Sequence, residues 1–190
     1  MWVIGNGESR ADIDVNTLSG PKIGCNAICR DYTVDHLICV DRRMAREALK
    51  TNTPKIYTRT DWINEFKAYP QVTTVPPLPY TGEQRPDDPF HWGSGPYAVL
   101  QGAKLFPIVK LIGFDLYSKT KTINNIYKGT TNYNAEDYRP VDPRYWIYQI
   151  GKIFEIYSRR SFVVYQEDDW RLPKAWNYPH VTVDKISNIV

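Results

Sequence analysis

Six short apolar runs recur along this chain, and most are separated by segments with helical character. The runs are residues 2–6 (WVIGN), 22–26 (KIGCN), 36–41 (HLICVD), 55–58, 109–116 (VKLIGFDL) and 161–165 (SFVVY). The centre of the third is continuously apolar, as in a strand covered on both faces. Helices are expected over 10–18 with Ser9 as cap, over 42–50 and 61–66, and over 95–106 with Ser94 as cap. A further helix is expected over 143–158, where Trp146, Ile150, Ile153, Phe154 and Tyr157 repeat at helical spacing. Strands alternating with helices specify the α/β class: a doubly wound, mainly parallel sheet with helices on both faces.

Two long loops interrupt this pattern and are read as lids. Residues 68–93 hold Pro70, Pro76, Pro77, Pro79, Pro86 and Pro89, which fix φ and remove donors, so neither a helix nor a central strand is expected there. Residues 117–140 are polar and tyrosine-rich. The domain is taken as 1–168, with an aromatic, proline-containing tail (169–190) packed on its surface.

The chain has 190 residues, 42% hydrophobic and 24% charged, which suits one globular domain. A net charge of +3 is too small for the dense basic stripe of a nucleic-acid reader, although a modified nucleobase stays open as an acceptor. Arg42-Arg43 and Arg159-Arg160 read as solvated ends of elements. No apolar run nears the roughly 18 residues of a membrane span, and no leader pattern opens the chain, so cytoplasmic residence is expected. Cys25 and Cys39 sit in apolar strand-like runs and suit small buried positions, and Cys25 and Cys29 lack the partners of a zinc site; no metal or catalytic role is expected for the cysteines. Fourteen tyrosines and six tryptophans suit sugar or base stacking, and equally protein interfaces or oligomer contacts.

In an open parallel sheet, ligands bind beyond the carboxyl ends of the strands. The first such turn is Gly5-Asn6-Gly7-Glu8-Ser9. Its glycines permit close backbone approach to a phosphate, a helix start would favour the anion, and the Asn6 side chain adds a donor. The turn lacks the third glycine of the dinucleotide fingerprint and the lysine of a P-loop. Asn26, Asp41 and Asp115 fall at the ends of other strands, and Gly93-Ser94-Gly95 opens a helix. All are candidate binding residues.

These motifs have a family counterpart. V-I-G-N-G-E-S (3–9), I-D (13–14), C-N (25–26), G-S-G (93–95) and L-I-G-F-D-L-Y (111–117) resemble, in order and approximate spacing over residues 2–165, the bacterial sialyltransferases that act on lipooligosaccharide. The resemblance implies a Rossmann-like fold and a cytidine monophosphate-linked sugar as donor, with no separate cofactor. It puts Gly5, Asn6 and Ser9 against the phosphate, Asn26 at the ribose or phosphate, and Ser94 and Gly95 at the nucleoside. Tyr117 matches a tyrosine that stabilises the departing phosphate, and Tyr127 is a loose match to a second. The family's histidine has no counterpart near Val141, because the only histidines are His36, His91 and His180. Asp142, its pKa raised by burial, and His91 at the end of the proline-rich loop are the candidate bases; Asp142 is also read as a helix cap.

Three functions follow as expectations. The first is a glycosyltransferase carrying a nucleotide-activated sugar to a glycan or another hydroxyl acceptor. The second is a magnesium- and ATP-dependent diphosphokinase like the hydroxymethylpterin enzymes, which share a G-x-G-x-S turn. The third is a non-catalytic binding or assembly protein, of phage or other origin, that keeps an enzyme's fold.

Overall fold

The computed structural model describes residues 1–79 and 92–189. The strands are β1 (Trp2–Ile4), β2 (Lys22–Cys25), β3 (His36–Ile38), β4 (Ile56–Thr58), β5 (Val72–Thr74), β6 (Ile108–Ile112), β7 (Ser161–Gln166) and β8 (Val181–Lys185). The α-helices are α1 (Arg42–Ala48), α2 (Ser94–Leu105) and α3 (Arg144–Ile156). The strands form one sheet in the order β5-β4-β3-β2-β1-β6-β7-β8, and every pair is parallel. The fold is therefore α/β and Rossmann-like. The sheet grows outward in one direction from β1 to β5, and in the other from β6 to β8. The reversal falls between β1 and β6, where Val3 pairs with Leu111 on one side and with Ile23 on the other.

Alternation along the strands divides the core in two. Val3, Ile23, Leu111 and Val164 face α2 and α3, whereas Ile4, Leu37, Ile56 and Ile112 face α1. Covered on both sides, β1 has no charged side chain and is wholly buried.

The structure corrects several expectations. Residues 10–18 form no α-helix; the segment makes two single 3-10 turns, Glu8–Arg10 and Val15–Thr17. Asp14 explains the break. Its carboxylate accepts from the Asn16 amide, and its carbonyl accepts from the Thr17 hydroxyl, so local side-chain bonds outcompete helix propagation. Residues Thr60–Phe66 are likewise 3-10. Inside the first long loop, Val72–Thr74 pairs with β4 as the sheet edge, the place where flanking prolines do least harm.

The tail does more than cover the surface. Val181–Lys185 adds a full strand beside β7, and Trp176 is completely buried. Its ring meets Phe154 edge-on at 85° with centroids 5.3 Å apart, and its indole N–H donates to the Ile147 carbonyl at 2.8 Å. The domain therefore continues past residue 168.

Candidate functional site at the carboxyl ends of the strands

A cleft of about 330 Å³ opens where the strand order reverses, the position at which α/β sheets hold ligands. Gly5, Asn6 and Gly7 after β1, Asn26 after β2, Asp41 after β3, Ser94 and Gly95 at the start of α2, and Asp115 after β6 all line it. Phe114, Trp146 and Ile150 form apolar walls, and Asn124, Asn125, Pro140 and Val141 close the far rim.

The first turn works differently from the phosphate loop expected. Of the amides from Gly5 to Arg10, five donate inside the protein: Gly5 to Ile112, Gly7 to Gly113 and Arg10 to Gly7 through carbonyls, Glu8 to the Asn124 side chain, and Ser9 to Asp115. The Ser9 hydroxyl also donates to Asp115, at 2.5 Å, so both carboxylate oxygens are held from one residue. A Cβ at Gly7 would fall on that carboxylate, and one at Gly5 on the Gly113 carbonyl. Close approach, not positive φ, demands glycine here; Gly7 sits at φ −65°. The anion cradled by Gly7 and Ser9 is thus the chain's own Asp115, and Ser9 does not line the cleft. A single 3-10 turn follows, so no α-helix macrodipole backs the loop.

The Asn6 side chain is also spent, contrary to the expected free donor. Its amide nitrogen donates to the Cys25 carbonyl at 3.0 Å and to the Tyr133 hydroxyl at 3.3 Å, fastening β1 to β2. Beneath it lies Arg10, which sequence reasoning passed over. Arg10 is 2% exposed, donates through Nε to the Gly5 carbonyl at 2.6 Å and through Nη2 to Asn6 Oδ1 at 3.2 Å, and forms no ion pair among the described residues. A charged residue inside an otherwise polar loop carries no periodic signal, so only the fold reveals it.

Asn26 adopts φ 49°, a left-handed conformation asparagine tolerates. Its Oδ1 accepts from the Ser94 hydroxyl at 2.8 Å, and that hydroxyl in turn accepts from the Val40 amide at 3.1 Å. Ser94 therefore ties together the ends of β2 and β3. It does not cap α2, whose N-cap is Gly93. The first intrahelical bond of α2 runs from Tyr97 to Gly93, and Pro96 has no N–H, which leaves the Ser94 and Gly95 amides beside the cleft with no acceptor among the described residues. Asp41 caps α1 through the Arg43 amide and pairs with the Arg43 guanidinium at 2.7 Å. Partial burial works to raise its carboxyl, but the Arg43 bonds outweigh it and hold the group below its ordinary value.

Other candidates stand outside the cleft lining. Tyr117 is 43% exposed and lines nothing there. Tyr127 is buried, donates to Asp31 at 2.7 Å and accepts from Arg10, and burial raises its phenol, so it bolts the second loop down and contacts no ligand space. Tyr133, next to it, is pushed up to about 12 by burial. Asp142 lies one residue before Pro143, the N-cap of α3; it accepts from the Arg144 amide at 3.0 Å, and its bonds to Arg144 hold the exposed carboxyl low, the reverse of the raised value a buried base would need. His91 and residues 80–90 of the first loop lie outside the described residues.

The second loop is fastened to the sheet end, to the residues after β2 and to α1. Ile126 N–H donates to the Asn6 carbonyl, Arg30 bonds Thr130 and Thr131, and Asn132 bonds Glu47. Cys25, Cys29 and Cys39 are buried free thiols, Cys25 pushed to about 12 by burial. Among the described residues no cluster of His, Cys, Asp or Glu is arranged to hold a metal ion, and no Lys, Arg or His lines the cleft. No helix among them is long and apolar enough to cross a membrane.

Fold and cleft together define a Rossmann-like α/β protein with an open cleft at its topological switch point. Comparison with protein families, curated proteins and solved structures finds no match to this chain.

Proposed function

We propose that the chain binds a nucleotide-activated sugar in the switch-point cleft and transfers the sugar to a hydroxyl acceptor, with a cytidine monophosphate-linked donor as the first form to test. The Gly5–Asn6 peptide carries this reading. Arg10 grips its carbonyl from beneath, and in a planar trans peptide the Asn6 N–H points the opposite way. That amide is the one of the turn with no acceptor among the described residues, and the buried guanidinium polarises it. With the Ser94 and Gly95 amides of α2, it supplies donors for a phosphate in a cleft whose described lining has no cationic side chain.

Phe114 and Trp146 offer flat apolar faces for a base. Asn26 Nδ2 and the Asp41 carboxylate are complementary to ribose hydroxyls. In the transfer, a bond forms between the acceptor oxygen and the anomeric carbon as the bond to phosphate breaks. The electron pair leaves with the nucleotide, and the hydroxyl proton passes to a base. Asp115 is the carboxylate suited to receive that proton, because it lines the cleft and Ser9 orients both its oxygens.

Calorimetric titration with CMP and UMP, followed by nucleotide release from CMP- and UDP-sugars, tests the proposal. Binding of neither nucleotide would overturn it. Asp115→Asn is expected to lower kcat by about 10²- to 10⁴-fold while CMP affinity stays near wild type; undiminished turnover would place the base elsewhere.

A further inference from the structure

Next to the cleft, beyond the carboxyl ends of β3 and β4, runs a second and more open groove of about 550 Å³. Its lining is Val40, Asp41, Arg42, Arg43, Arg46 and Trp62. Val40 and Asp41 line both spaces, so the two are contiguous along one rim of the sheet. Arg59, just after β4, stacks on the Trp62 ring with its guanidinium carbon 4.4 Å from the centroid.

The charges around this groove nearly cancel. Arg43 pairs with Asp41, Arg46 with Glu65, and Arg59 with Asp61. The Arg42 side chain is exposed and, among the described residues, makes no ion pair or hydrogen bond. Among the described residues the surplus is therefore a single cation on the lining that also holds Trp62. A polyanion such as nucleic acid needs a run of unpaired cations; one surplus arginine matches one acidic group. Arg59 covers one face of the half-buried Trp62 ring, and the part of the ring that lines the groove adds apolar surface on which the body of a sugar or ring can rest.

We infer that this groove is the acceptor subsite, and that it takes a ligand bearing one acidic group, carboxylate or phosphomonoester, on a sugar-like or ring body. The word acceptor rests on the donor reading of the neighbouring cleft; the acidic-ligand site itself does not. Arg42 bonds the acidic group, Trp62 supports the body, and the shared Val40–Asp41 edge leads the ligand's hydroxyl toward the cleft.

Binding of p-nitrophenyl glucuronide, p-nitrophenyl phosphate and p-nitrophenyl glucoside, followed by the NMR shifts of the tryptophan indole protons with and without saturating CMP, tests this. The glucuronide and glucoside differ by carboxylate against hydroxymethyl, and the phosphate arm separates the two acidic sources. The acidic probes are expected to bind about tenfold tighter than the glucoside. Arg42→Gln, a change at an exposed side chain, is expected to erase that preference while leaving CMP affinity unchanged. Equal binding of charged and neutral probes, displacement of the probes by CMP, or an unaltered preference in Arg42→Gln would each overturn the subsite. Acidic-probe binding without any nucleotide binding would keep the subsite and remove the donor reading; CMP binding without probe binding would do the reverse.

Discussion

At the scale of single residues, the first turn trades an external anion for an internal one. Gly7 has no side chain because the Asp115 carboxylate occupies that space. Gly7→Ala is therefore expected to push Asp115 off Ser9, at an overpacking cost of about 1–3 kcal/mol in urea unfolding. Nucleotide release should fall with it, and normal stability and activity in this variant would contradict the cradle. Arg10 acts in the opposite sense, as a buried cation that lends its charge to the Asn6 amide. Arg10→Met is expected to weaken CMP far more than cytidine, because only the phosphate feels that charge. Equal loss for both, measured by titration calorimetry, would assign Arg10 to packing alone. None of this pairing can be read along the sequence, since Ser9 and Asp115 are 106 residues apart. What the sequence does carry is the address: glycine, asparagine or aspartate just after β1, β2, β3 and β6 singles out Gly5, Asn26, Asp41 and Asp115, and all four line the cleft. It named their neighbours less well. Ser9, Tyr117, Tyr127 and Asp142 are the right residue types in nearby loops, with side chains committed to bonds or solvent away from the cleft.

At the scale of elements, helical periodicity and apolar runs located α1, α2, α3 and six of the eight strands. The edge strands β5 and β8 escaped because their residues are mostly only partly buried or exposed and alternate weakly. The tail shows the same limit. Trp176 stands in a proline-bearing segment without period, yet it is central to the packing of α3 against β7 through Phe154 and Phe162. Trp176→Ala is expected to cost about 3–5 kcal/mol, and a loss below about 1 kcal/mol in chemical unfolding would show that the tail only rests on the core. A second element-scale link joins α1, the residues after β2 and the second loop: Arg30 bonds Glu47, and both reach the loop. The Arg30 bond holds the Glu47 carboxyl below its ordinary value, so folding favours its ionised form. That contribution is complete above the unfolded carboxyl value of about 4.3 and fades as the pH falls through the lower folded value. The Tm difference between wild type and Glu47→Gln is accordingly expected to be largest near about pH 7 and to close below about pH 4. A difference independent of pH would mean that the charge contributes nothing.

At the scale of the whole molecule, one property dominates: β1, the first of the described strands in chain order, lies in the middle of the sheet. Its partner β6 arrives about a hundred residues later, which makes the central pairing strongly non-local. Both the cleft and the groove lie beyond the carboxyl ends of the strands, and the Met1 amino group donates to Ile108 at the other end of β6. An affinity handle or surface linker joined at Met1 would consequently leave from the underside of the sheet. A sensor chip or resin built that way would hold the protein with its cleft and groove turned outward, free to meet whatever is passed over it.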